Sequence, residues 1–129
     1  MKDLQDIRIL VVDDSNTNNF LLEGILRKRG FQVSSATRCS EAFKMLKKEE
    51  RDLVLLDLMM PGISGFDMLD KMKDDENYKD IPVIVISAKT GPKTEREVLA
   101  AGANAYLPKP VRIQALVEVV SRVLNIDIS

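Results

Sequence analysis

The sequence predicts an α/β fold, a (βα)5 chain wound on both faces of a five-stranded parallel sheet. Three observations predict it. Short β-branched and leucine-rich runs alternate with segments of helical period along the 129 residues. The strongest runs are apolar at successive positions, as strands buried on both faces must be. Each pair of runs is separated by a helix-length connection, which implies right-handed crossovers between parallel strands.

The strongest strands are read at Ile7–Val12 (β1), Leu53–Leu56 (β3) and Val83–Ile86 (β4). Weaker ones are read at Phe31–Ser34 (β2) and Ala103–Leu107 (β5). In the first helix Phe20, Leu21, Leu22, Ile25 and Leu26 supply an apolar face, and Gly30 suits the position just past its end. Ala42, Phe43, Met45 and Leu46 mark the second helix, with Cys39 a small residue at its start. Ser64 opens the third with a Ser-x-x-Asp capping pattern to Asp67, and Leu69 and Met72 point inward. Pro92 suits the first turn of a fourth helix that ends at Ala101-Gly102. Ile113, Leu116, Val117, Val120 and Leu124 recur at helical spacing in the fifth. "KDDENYKD" (73–80) reads as a solvated loop and "KMLKKEER" (44–51) as a solvated helix face. No internal repeat or linker interrupts the pattern, so residues 1–129 read as one domain.

Composition narrows the function. The 19 basic and 20 acidic side chains nearly cancel, which argues against direct binding to nucleic acid or to anionic membranes. The single Cys39 rules out an intramolecular disulfide and a Cys-x-x-Cys site. The chain contains no histidine, so Ser-His-Asp and Cys-His catalysis within it is excluded. Any metal would be held by oxygen, which favours Mg²⁺, Ca²⁺ or Mn²⁺. No apolar run approaches the roughly 20 residues of a membrane span, and the N-terminus lacks a signal-peptide pattern. The expectation is a soluble, cytoplasmic protein.

The chemistry gathers at strand ends. "IRILVVDDS" (7–15) ends in Asp13 and Asp14, and "DLVLLDLMMPGISG" (52–65) runs from an apolar strand into Asp57 before a turn at Pro61-Gly62. In doubly wound sheets, sites form outside the carboxyl ends of strands where the winding reverses. A strand order of 2-1-3-4-5 puts that point between β1 and β3, and would bring all three acids into one crevice. Two carboxylates about 4 Å apart repel by roughly 4 kcal/mol at an effective dielectric of 20, and a divalent cation relieves this. Taken alone, one of Asp13 and Asp14 suits a helix N-cap. The end of β4 places Ser87 beside the crevice, and the end of β5 places Lys109 there. A hydroxyl and an ammonium facing carboxylates suit a phosphoryl group. Read singly, Ser87 is also ordinary turn chemistry, Lys109 a loop lysine and Tyr106 a half-buried strand aromatic.

With these residues assembled, the sequence resembles the receiver domains of two-component response regulators. The resemblance rests on "VVDDS" (11–15), "DLVLLDLMMPGISGFDML" (52–69), "IPVIVISA" (81–88) and "GANAYLPKP" (102–110), and it covers essentially the whole chain. It implies the flavodoxin-like receiver fold and a phosphoacceptor switch. Asp57 would accept a phosphoryl group from a partner histidine kinase, a phosphotransfer protein or a small phosphodonor. Asp14, Asp57 and the backbone carbonyl of Met59 would bind Mg²⁺ directly, with Asp13 helping through water. Lys109 would pair with phosphoryl oxygens. Ser87 and Tyr106 would form the switch that changes the surface made by the fourth helix, β5 and the fifth helix for a downstream protein target. Phosphorylation-dependent homodimerisation through that surface is a further expectation. A cis bond before Pro110 would aim Lys109. Met59 and Lys89 would tune loss of the phosphate.

The chain departs from the family pattern in "DDSNTNNF" (13–20). Asn16, Asn18 and Asn19 lie where members often carry proline or arginine. Two other functions use similar residues. One is a receiver-like interaction domain that takes no phosphate. The other is an Mg²⁺-dependent phosphatase with an aspartyl-phosphate intermediate, but that class carries its nucleophile in an Asp-x-Asp motif after β1, and Asp13-Asp14-Ser15 is not one.

Overall fold

The computed structural model describes residues 3–60, 64–89 and 91–128. A short 3-10 turn at Leu4–Asp6 leads into β1 (Arg8–Val12), α1 (Asn16–Lys28), β2 (Gln32–Ala36), α2 (Cys39–Lys48), β3 (Leu53–Asp57) and α3 (Gly65–Asp74). The chain continues through β4 (Val83–Ser87), α4 (Pro92–Ala100), β5 (Ala105–Pro108) and α5 (Ile113–Leu124). All four strand pairings are parallel, and the order is β2-β1-β3-β4-β5. The fold expected from the alternation is therefore present, with the winding reversing between β1 and β3. Among the described residues no helix is long and apolar enough to cross a membrane.

The sheet separates two cores with a period of two. Leu10, Val12, Val54, Leu56, Val83 and Val85 face Ala42 and Leu46 of α2, Met68, Leu69 and Met72 of α3, and Val98 of α4. Ile9, Val11, Leu53, Leu55, Ile84 and Ile86 face Leu22 and Leu26 of α1 and Leu116 and Val120 of α5. Central β3 and β4 are buried at every position. Burying one such aliphatic side chain stabilises by about 1.5–3 kcal/mol, so both cores hold β3 rigidly.

Several local expectations change in the structure. Of the five apolar residues of α1, only Leu22 and Leu26 are buried; Phe20 is 75% and Leu21 56% exposed. Successive helical residues turn by about 100°, so positions 20, 21 and 22 cannot share one face. In α5, Leu116 and Val120 are buried while Ile113 stays half exposed. β2 starts one residue later than expected, because the Phe31 N–H closes the end of α1 on the Leu26 carbonyl and Gly30 takes φ 106°. It runs on to Ala36 because Ser35 and Ala36 pair with Val11 and Val12. β5 begins at Ala105, since the Ala103 N–H is bound to the Val98 carbonyl at the end of α4.

The polar stretches are less solvated than their composition suggests. Tyr78 packs on Phe43 with ring centroids 6.4 Å apart, and the Lys73 ammonium donates to the carbonyls of Lys79 and Ile81. In the helix-face stretch, the Arg51 side chain is buried beside Glu49. Charged letters predict exposure only on average, and the aliphatic and aromatic parts of these chains find cover at the edge of the core.

Candidate functional site

The period of two that builds the cores also sorts the site. Counting on from Ile9 and Val11 reaches Asp13, from Leu53 and Leu55 reaches Asp57, and from Ala105 and Leu107 reaches Lys109. All three fall on the α1/α5 side, at the carboxyl end of the sheet. Counting on from Val83 and Val85 reaches Ser87 on the other side, the side on which Tyr106 also packs. Asp13, Asp57 and the ammonium thus share one face, and the expected switch pair shares the opposite one.

Carboxylate oxygens of Asp13, Asp14 and Asp57 lie within 4.8 Å of one another. The Lys109 ammonium donates to Asp13 Oδ2 at 3.0 Å and lies 3.4 Å from Asp57 Oδ2. Asp13 is engaged twice more, accepting the Ser15 N–H at Oδ1 and the Asn18 amide at Oδ2. The helix N-cap is neither aspartate: Ser15 caps α1, its hydroxyl oxygen accepting the Asn18 N–H. Asp14 is exposed, and its carboxylate makes no hydrogen bond or ion pair among the described residues.

Asp57 is 4% exposed. Its Oδ1 accepts the Met59 N–H at 3.2 Å, and the Leu58 N–H is held by the Ile86 carbonyl. Ser64 caps α3 by accepting the Asp67 N–H, which fixes the far end of the same loop. The turn expected at Pro61-Gly62 lies outside the described residues. Burial pushes the Asp57 carboxyl above the ordinary carboxylate value. The Met59 N–H and Lys109 oppose that rise, and the Asp13 charge adds to it. Burial pulls the Lys109 ammonium down, but the Asp13 hydrogen bond and the charges of Asp57 and Asp13 outweigh it, leaving its pKa above the ordinary lysine value. The Lys109-Pro110 bond is cis.

Ser87 is fully buried. Its hydroxyl oxygen accepts the Lys89 N–H at 3.0 Å, and its O–H has no acceptor among the described residues. The Tyr106 hydroxyl donates to the Lys89 carbonyl. Lys89 therefore ties the two together through its own peptide groups. Burial and the Glu95 charge raise the Tyr106 phenol above its ordinary value.

Three carboxylates and one ammonium leave the cluster with a surplus of negative charge. Hard oxygen donors at this separation suit a small divalent cation. Beside it, a cavity of about 620 Å³ runs from Asp13 and Lys109 to Leu21, Ile25, Val111 and Ile113. The exposed Leu21 lines it, and Phe20 lies with Leu21 and Ile113 on an adjoining hollow between α1 and α5. The apolar rim is the part of the site that composition did not reveal. The signal was present in the helical phase of α1, where Phe20 and Leu21 lie off the buried stripe.

The chain matches the response regulator receiver domain family over residues 9–121. It is 41% identical over 104 residues to the response regulator PleD of Caulobacter vibrioides, covering 81% of this chain and 23% of that protein. It is 35% identical over 117 residues to PilH of Pseudomonas aeruginosa, covering 91% of this chain and 97% of PilH. The chain thus spans about a quarter of one relative and nearly all of another. The solved structure of the chemotaxis response regulator CheY4 of Vibrio cholerae superposes with a TM-score of 0.85 at 28% identity, covering 91% of this chain and 98% of CheY4. Sheet order, the acid cluster at the switch point and these similarities agree: the chain belongs to the receiver domain family of two-component response regulators.

Proposed function

We propose that residues 1–129 act as one receiver module that accepts a phosphoryl group on Asp57. The donor is a phosphohistidine on a partner kinase or phosphotransfer protein, or a small acyl phosphate. The observation that carries this reading is the Lys109 ammonium between Asp13 and Asp57 in a three-carboxylate cluster. An Asp57 oxygen attacks phosphorus; with phosphohistidine the P–N bond breaks and its electron pair stays on the imidazole, and with an acyl phosphate the P–O bond breaks and a carboxylate leaves. Such transfer depends chiefly on positioning and charge neutralisation.

Asp14, Asp57 and the Met59 carbonyl would hold Mg²⁺, with Asp13 assisting, and the bound ion would neutralise charge on the transferring group. Two features support this division of labour. Asp13 is already engaged by Lys109, Ser15 and Asn18, whereas the Asp14 carboxylate has no partner among the described residues. Lys109 supplies the fixed positive charge for the phosphoryl oxygens. The free O–H of Ser87 is the donor for one of them. Moving Ser87 toward phosphate draws on Lys89, which Tyr106 holds, so the local change reaches the α4-β5-α5 surface presented to a downstream protein. The chain works as a switch that turns over only its own phosphate.

The donor meets the apolar border formed by Phe20, Leu21 and Ile113, exposed residues of α1 and α5 that lie together beside the cavity running to Asp13 and Lys109.

Intact mass after incubation with acetyl phosphate tests the core of this reading. One added phosphoryl group is expected, dependent on Mg²⁺ and abolished in Asp57→Asn. A folded wild type that takes up neither phosphate nor beryllofluoride would instead be a receiver-shaped interaction domain.

A further inference from the structure

We infer that Asn19 is a positioning residue for the metal-facing acid Asp14, an inference that rests on the Mg²⁺ reading above. Asn19 is 2% exposed, in the first turn of α1. Its amide nitrogen donates to the Asp13 carbonyl at 2.9 Å and to the Ala36 carbonyl at 3.2 Å. Both neighbours are acceptors only, so the nitrogen must face them. The price is a buried Oδ1 with no hydrogen-bond partner. A native fold seldom leaves such an atom unpaired without a reason.

What the amide holds explains the arrangement. The Ala36 carbonyl also accepts the Asp13 N–H at 3.1 Å. The Asp13 residue is thus gripped at both peptide groups, on one side by the end of β2 and on the other by Asn19. Its carbonyl belongs to the peptide unit that leads into Asp14. Asp14 has no side-chain partner among the described residues, so where its carboxylate sits depends on that peptide plane. Asn19 fixes the plane and ties together the ends of β1, β2 and α1 at one point. Two of the three asparagines of "DDSNTNNF" therefore act on the acid loop: Asn18 on the Asp13 carboxylate, and Asn19 on the backbone that carries Asp14.

The test uses Asn19→Leu, which keeps the branched shape and removes both donors, and Asn19→Ala in case the bulkier leucine overfills the site. Leu26→Ala is a control that weakens α1 packing without touching the carbonyls. Mg²⁺ affinity is measured by calorimetric titration beside thermal melting. Both Asn19 variants are expected to bind Mg²⁺ about tenfold or more weakly, as when an outer-shell partner of a ligand is lost. Leu26→Ala should lower Tm and leave the affinity unchanged. A second readout needs no metal: amide relaxation in the Mg²⁺-free protein should show Asp14 more mobile in the Asn19 variants and ordered in Leu26→Ala. Wild-type affinity together with an ordered Asp14 in Asn19→Leu would reduce Asn19 to a packing residue. If the wild type binds no Mg²⁺, the metal reading fails by itself, and the relaxation data still decide whether Asn19 positions Asp14.

Discussion

Asp57 sits at a conflict between burial and charge. It closes a strand buried at every position, and burial there holds its carboxyl above the ordinary value against the pull of Lys109. A group whose folded pKa is raised favours the fold fully below its unfolded value, and that contribution is lost as pH rises through the folded value. At neutral pH the ionised Asp57 therefore weighs against the metal-free fold. Asp57→Asn is expected to raise the metal-free Tm at neutral pH, since Lys109 keeps its 3.0 Å bond to Asp13. The gain should shrink below the unfolded carboxylate pKa, where the wild type is protonated, and also when Mg²⁺ stabilises the wild type at neutral pH. Melting curves at two pH values, with and without Mg²⁺, check this. A variant less stable than metal-free wild type at neutral pH would contradict it. Ser87 and Lys109 were legible as residue types at strand ends. The Lys89 N–H on Ser87 is the local turn contact that a serine there allows, but the Asp13 carboxylate on Lys109 comes from the far end of the chain and was not legible.

Elements were legible where their period was strong. β1, β3 and β4 appear within about a residue of their apolar runs, because two packed faces leave no room for polar interruption. β2 and β5 slipped because helix ends took Phe31 and Ala103 first. The start of α3 packs closely on the end of β3. A Cβ on Gly65 would stand 2.4 Å from the Asp57 carbonyl oxygen and 2.6 Å from the Leu58 Cα, both backbone atoms. The start of α3 thus lies directly on the strand end that carries the proposed acceptor. Gly65→Ala is expected to cost about 1–3 kcal/mol, as overpacking does, and to slow labelling by acetyl phosphate by displacing Asp57. Urea unfolding and the labelling rate read the two effects. An unchanged midpoint would mean that the helix can step back freely.

At the scale of the whole molecule, the near-neutral charge leaves local surfaces to direct association. The acid crevice opens beside the apolar border of α1 and α5, where Phe20 and Leu21 contribute little to the core. Phe20→Ser and Leu21→Ser should change stability by no more than about 0.5 kcal/mol. They should slow phosphoryl transfer from an autophosphorylated histidine kinase that labels the wild type, while labelling by acetyl phosphate keeps its rate. Equal slowing with both donors would place the effect in the crevice and not in docking.

The amino-acid sequence by itself determined the alternating α/β class, the apolar strands and the acids at their ends. These are written in periodicity and in neighbouring residues, and burial on two faces permits few other readings. Tertiary structure alone decided which residues meet. It put Lys109 between Asp13 and Asp57 and set the Asn19 amide under the peptide that leads to Asp14. Each of these depends on strand order and helix phase across long stretches of chain, and no local pattern encodes the contact that results.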